Sequence, residues 1–149
     1  MADQIWITRA AAQSMLDAYL ASLDLTNLRV HLMKDTGSLP TFDVDTLEAD
    51  LAALEADFPG YAAQLVSVSP VYIDGADKPS ANFSTAVFAC SSPAAPAPNT
   101  IIGWYLTDHT ADLAIYCKWD PANYITIDTA GQTLPVTPAL RFFDKSIAP

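Results

Sequence analysis

The chain has 149 residues, 51% of them hydrophobic and only 16% charged, with a formal net charge of −10. That length suits one domain with a substantial core, and that apolar fraction excludes a disordered chain. Seven Lys and Arg against 17 Asp and Glu argue against a nucleic-acid partner, because phosphate contact needs clustered cations. So little charge leaves little polar cover, and part of the apolar surface is expected to be buried against a partner. Every apolar run stops short of the roughly 18 residues a membrane helix needs, so no membrane partner is expected. Met1-Ala2-Asp3-Gln4 lacks the basic start and apolar stretch of a signal peptide, which predicts synthesis in a cytoplasm.

The first predicted element is a helix from about Thr8 to Ser22. Thr8 is a candidate N-cap, and Ala11, Ala12, Met15, Leu16, Tyr19, Leu20 and Leu23 recur at helical spacing. After a turn at Asp24-Leu25-Thr26-Asn27, Leu28, Val30 and Leu32 alternate with Arg29, His31 and Met33. This reads as a half-buried strand with His31 on its polar side. A second, acidic helix is expected over 46–58, with Asp45 and Glu48 in a capping pattern. Leu47, Leu51, Leu54 and Phe58 share its face, and Pro59-Gly60 ends it.

Beyond Tyr61 the chain reads as all β. Strands are predicted at about Ala62–Ile73, Asn82–Cys90, Ile101–Thr107, Leu113–Trp119, Tyr124–Asp128 and Thr133–Phe143. The runs Thr100–Asp108 and Leu113–Trp119, joined by a turn at Asp108-His109-Thr110, form a central hairpin. Its Gly103 is expected to permit close packing or a bulge. Pro135 and Pro138 mark the last strand as an edge or bulged strand, since proline cannot donate to a ladder. Ser91–Asn99, with Pro93, Pro96 and Pro98, reads as an exposed polyproline-like loop. The expected fold is mainly β: an antiparallel β-sandwich or jelly-roll-like domain with an N-terminal helix and one short acidic helix. It forms one domain over 1–149, with a helical segment at 1–24, the sandwich at 25–143 and a tail at 144–149.

No residue pattern announces chemistry. Asp35 to Asp77 holds nine acidic and no basic residues, but Asp43-Val44-Asp45 lacks the glycine and closing Glu of a calcium loop, so the region reads as a solvated acidic face. His31 and His109 are the only histidines, and no Gly-x-Ser-x-Gly nucleophile elbow occurs. Cys90 and Cys117 sit in strand-like runs and read as reduced core thiols, with one cross-sheet bridge as the alternative. Two isolated Cys and two isolated His do not make a zinc site, and five glycines supply no phosphate-binding loop. No catalytic residue, metal or cofactor is therefore assigned. Trp6, Trp104, Tyr105, Tyr116, Trp119 and Tyr124 read as core or interface aromatics ahead of a stacking platform.

The order of elements nevertheless resembles a known kind of protein. A short helix leads to Leu28-Arg29-Val30-His31-Leu32, and an acidic helix ends in Phe58-Pro59-Gly60-Tyr61. A meander containing Gly103-Trp104-Tyr105-Leu106-Thr107-Asp108 follows, then a last strand from Thr133 to Leu140. From about Met15 to Phe143 this is similar to small β-sandwich virion proteins of tailed bacteriophages. The resemblance implies a non-enzymatic structural protein of capsid cement or decoration type, sited on the capsid surface of the virion. It implies the major capsid protein as partner and a homotrimer or other homo-oligomer. On this reading Ile5, Trp6, Phe142 and Phe143 are contact residues, with Pro93, Pro96 and Pro98 in a private contact loop. The alternative is a tail- or fibre-associated module contacting a host glycan through that loop or through Trp104 and Trp119.

Overall fold

The computed structural model describes residues 8–37, 46–76, 78–92, 99–119 and 124–141. Helix α1 spans Arg9–Ala21, and the Thr8 hydroxyl caps it by accepting from the Ala11 amide at 3.2 Å. Ala12, Leu16 and Leu20, spaced by four, form its buried stripe. Met15 and Tyr19 lie at the stripe's border and stay substantially exposed.

Strands β1 (Leu28–Lys34), β2 (Gln64–Leu65), β6 (Asn99–Asp108), β7 (Leu113–Trp119) and β8 (Ile125–Ile127) form one antiparallel sheet. Its order is β2-β1-β6-β7, and β8 continues the β7 side of β6. The long β6 is thus the spine, as the predicted hairpin required. Two register irregularities shape it. Met33 pairs with Gly103 but Lys34 with Ile101, which leaves Ile102 as an extra residue. That extra residue puts Ile102 on the same face as Tyr105 and returns Ile101 to the main core. Gly103 therefore flanks a bulge. On the other side of β6, Leu106 pairs with Tyr116 and Thr107 with Ala114, so Ile115 is the extra residue of β7.

The remaining strands make the opposing layer. β3 (Tyr72–Ile73), β4 (Pro79–Asn82) and β10 (Ala139–Arg141) form a three-stranded sheet in the order β10-β4-β3. β5 (Ala86–Ala89) and β9 (Thr133–Val136) form a two-stranded one. These are two halves of one bent ribbon, since Asn82 pairs with Ala139 and, past the bend, Ala86 pairs with Val136. At the bend the Phe83 amide donates to Pro138 O at 3.0 Å and the Thr85 and Thr137 hydroxyls meet at 2.8 Å. Pro138 has no N–H for the ladder, so the ribbon breaks there and changes direction. The predicted strands 82–90 and 133–143 are each divided at this point.

Between the layers lies the main core: Leu16 and Leu20 of α1, Leu28, Val30 and Leu32 of β1, Leu106 of β6, Ala81, Phe83, Phe88 and Val136. The architecture is mainly β and antiparallel, with sandwich-like layering, an N-terminal helix and one short helix.

Two expectations are corrected. The second helix is only Glu48–Leu51 (α2), followed by a 3-10 turn at Ala52–Leu54. The helix stops because β1 captures the next residues: Glu55 bridges Met33, and the Ala56 amide donates to Leu32 O at 3.0 Å. Phe58 enters the main core from outside the helix. The predicted strand 62–73 is reduced to β2 and β3, with a single antiparallel bridge of Val68 to Phe83 between them, made by the Ser69 amide to Asn82 O and the Ser84 amide to Ser67 O.

Candidate functional site

The second face of the central sheet holds the main polar cluster among the described residues. Strand alternation places His31 and Met33 of β1 beside Tyr105 and Gly103 of β6 on this face, with Thr107 opposite Arg29. His31 is 2% exposed and Thr107 is fully buried, which overturns the expectation of a solvent-facing His31. The cover is α2 and its 3-10 turn, whose Leu51 and Leu54 build a satellite core with Met33, Ile102 and Tyr105.

Every ring atom of His31 that can hydrogen-bond is engaged. Nδ1 lies 2.9 Å from Glu55 Oε1 and Nε2 lies 3.1 Å from Thr107 Oγ1. A neutral ring satisfies both contacts when Nδ1–H donates to Glu55 and Nε2 accepts from the Thr107 hydroxyl, a tautomer assigned from the network. The ring stacks on Tyr105 with centroids 4.5 Å apart and planes 6° from parallel. Glu48 Oε1 approaches His31 Nε2 to 3.6 Å, and the same carboxylate accepts from His109 Nδ1 at 2.8 Å. Both histidines of the chain thus converge on one acidic residue of α2.

Glu55 is the second hub. The Tyr61 hydroxyl donates to Glu55 Oε1 at 2.8 Å while accepting from the Leu32 amide at 3.1 Å. Burial acts to raise the Glu55 carboxyl pKa, but hydrogen bonds from His31 and Tyr61 outweigh it and hold the group below the ordinary carboxylate value. The Tyr61 and Tyr105 hydroxyls are both pushed well above an ordinary phenol, first by burial and then by nearby carboxylates. Tyr105 Oη is buried with no hydrogen-bond partner among the described residues.

Thr107, His31 and Glu55 have the connectivity of a hydroxyl–imidazole–carboxylate relay, the arrangement that activates a nucleophile. Burial decides against that use in the folded state, because a carbonyl substrate cannot reach a fully buried Thr107 hydroxyl. A shallow recess of about 530 Å³ bounded by Lys34, Glu55, Asp57 and Tyr61 reaches Glu55 from outside but not Thr107. Sequence reading missed this relay, for no motif links residues 31, 55 and 107. The available signal was the alternation that set His31 against the leucines of β1.

The hairpin tip clasps α2. Asp112 holds φ = 51°, a left-handed conformation uncommon outside glycine. Its carbonyl accepts from the Glu48 amide at 3.3 Å, and its Oδ1 accepts from the Ala49 amide at 3.1 Å. The buried Asp108 carboxylate braces the turn, accepting from the amides of Asp24 at 2.8 Å and Thr110 at 3.1 Å.

A cleft of about 280 Å³ runs between β6, β8 and β9, lined by Gly103, Trp104, Ile125, Leu134 and Val136 among others, with no charged side chain among the described residues of its walls. The outer face of the β5–β9 ribbon presents Val87, Ala89, Thr133 and Pro135, with exposed Leu65 on the neighbouring β2, and is likewise uncharged. Cys90 is a free, buried thiol whose Sγ donates to Ser92 O at 2.8 Å. Among the described residues no group of three or more His, Cys, Asp or Glu side chains is placed to hold a metal. No described helix is long and apolar enough to cross a membrane. The expected contact residues Ile5, Trp6, Pro93, Pro96, Pro98, Phe142 and Phe143, and the pair Asp43 and Asp45, lie outside the described residues.

Comparison with family models, with curated proteins and with solved structures returns no match.

Proposed function

We propose that the protein is a non-catalytic structural component of a larger assembly, working through its sheet surfaces. The observation that carries this reading is the uncharged outer face of the β5–β9 ribbon on a chain of net charge −10. A strongly acidic protein that leaves Leu65 and Val87 more than half exposed has a surface suited to lying on a neighbour. The buried position of Thr107 and His31 favours the same class, since it assigns the relay to internal cohesion.

The particular reading is a capsid cement protein of a tailed bacteriophage, stabilising the head by bridging major capsid subunits as a homotrimer or other closed oligomer. It rests on the order of elements from the N-terminal helix to the last strand, and on the need for no active site. The glycan-binding alternative is less favoured, because among the described residues the cleft beside Trp104 is lined by no charged or amide side chain to fix sugar hydroxyls. Immunogold labelling of purified virions tests the proposal. Label spread over the whole head is expected; label confined to the tail, or absent from particles, would overturn it.

A further inference from the structure

We infer that residues 46–54 form a strap that opens locally, ahead of the rest of the fold, and uncovers His31, Tyr105 and Thr107 on the second face of the sheet.

Two independent observations carry this. The first is how thinly the strap is anchored. It holds one turn of α-helix and one 3-10 turn, with Leu51 and Leu54 as its apolar anchors in a satellite core. Its ties to the hairpin include the Ala114 amide to Thr46 O at 3.3 Å, the Glu48 amide to Asp112 O at 3.3 Å, the Ala49 amide to Asp112 Oδ1 at 3.1 Å and, at the exposed tip, His109 Nδ1 to the Glu48 carboxylate at 2.8 Å. The two bonds between backbones are at the long end of hydrogen-bond geometry, and the short one joins solvent-exposed groups. From Ala56 onward the chain belongs to the main core, through Ala56 and Phe58. β1 and β6, by contrast, share a ladder from Leu28 to Lys34. Segments with few buried contacts open with less free energy than core strands.

The second observation is the Tyr105 hydroxyl. Under the closed strap it is buried and has no hydrogen-bond partner among the described residues. An unpaired buried hydroxyl disfavours the state that buries it, and opening lets water satisfy it. Closure is therefore less stable than full pairing would make it where the strap packs on Tyr105. What opening reveals is an aromatic–imidazole stack flanked by the Thr107 hydroxyl, all three buried in the closed state.

Native-state hydrogen exchange on the full chain at neutral pH tests this, with two variants. In the unmodified protein, the amides of Glu48, Ala49 and Asp50 are expected to exchange at least tenfold faster than the paired amides of β1 and β6, after correction for intrinsic rates. Asp112→Gly removes the Oδ1 acceptor and relieves the left-handed strain; it should accelerate strap exchange several-fold while leaving β1 and β6 unchanged, and Asp112→Asn should stay near the parent. Tyr105→Phe removes the unpaired hydroxyl and should slow strap exchange. Carbethoxylation of His31, followed by peptide mass mapping, should quicken in Asp112→Gly. Strap amides as protected as those of β1 and β6 would overturn the inference. So would a Tyr105→Phe strap that exchanges as fast as the parent or faster, or a His31 whose modification rate ignores the Asp112→Gly change.

Discussion

Thr107→Val tests whether the relay under α2 is a cohesive element of the fold. Valine matches threonine in shape, so the substitution leaves no cavity in a fully buried site and removes one hydroxyl. His31 Nε2 then loses its 3.1 Å partner while the ring stays 2% exposed. Leaving a buried polar atom unpaired costs about 1–3 kcal/mol. For a chain of this size each kcal/mol lowers the melting temperature by about 2–4 °C, so a drop of roughly 2–12 °C is expected. His31→Phe keeps the stack on Tyr105 but removes both imidazole contacts, and should cost at least as much. The double variant removes both ends of the Thr107–His31 bond together, and should cost less than the sum of the singles by about 1 kcal/mol or more. Urea denaturation of all four proteins gives the coupling. Additivity within about 0.5 kcal/mol would refute the claim that these two side chains form a cohesive hydrogen bond.

Two further predictions concern acid and glycine. Glu55 is held ionised by His31 and Tyr61 against burial, Asp57 by Lys34 and Asn99, Asp24 by Thr110 and Thr26, and Asp74 chiefly by the Lys78 amide. All four pKa values are lowered on folding, so their contribution is present above the ordinary carboxylate pKa of about 4 and lost as pH falls through the lowered folded values. Urea midpoints should therefore decline between about pH 5 and pH 2, with a shallower decline in Glu55→Gln; a flat profile would contradict the assignment. Gly60 has φ = 86°, and a Cβ there would stand 2.9 Å from the Ser91 Cβ and 3.1 Å from Ala89 O. Gly131 has φ = 82° with open space around it. Gly60→Ala should lower stability by more than Gly131→Ala, whose cost is the left-handed strain of about 1 kcal/mol alone; equal losses in thermal melts would remove the steric argument.

Local patterning made much of the fold legible. Thr8 announced the first cap, alternation in β1 and β6 announced the spine, and Pro135 and Pro138 announced an irregular final strand. What escaped reading was tertiary. The helix expected over 46–58 had the right apolar spacing, but β1 competes for the backbone of Glu55 and Ala56 and wins. The strands around Phe83 and Thr137 carry continuous β patterns, and only their mutual bend at Pro138 divides them. The relay was invisible because its members come from three separate segments. His31 looked solvent-facing because its strand alternates, and nothing in β1 records that a short strap from the chain's acidic stretch covers the second face. The extra residue Ile102 is similarly silent in the sequence, although Gly103 beside it hinted at a bulge.

The proposed function stands or falls on the particle. Virions carrying the protein and virions lacking it, matched in genome length, should be heated stepwise while released DNA is followed with an intercalating dye. Cement that bridges capsid subunits predicts DNA release at a distinctly lower temperature from the particles that lack it, and restoration when purified protein is added back. Identical release curves with and without the protein would contradict the account.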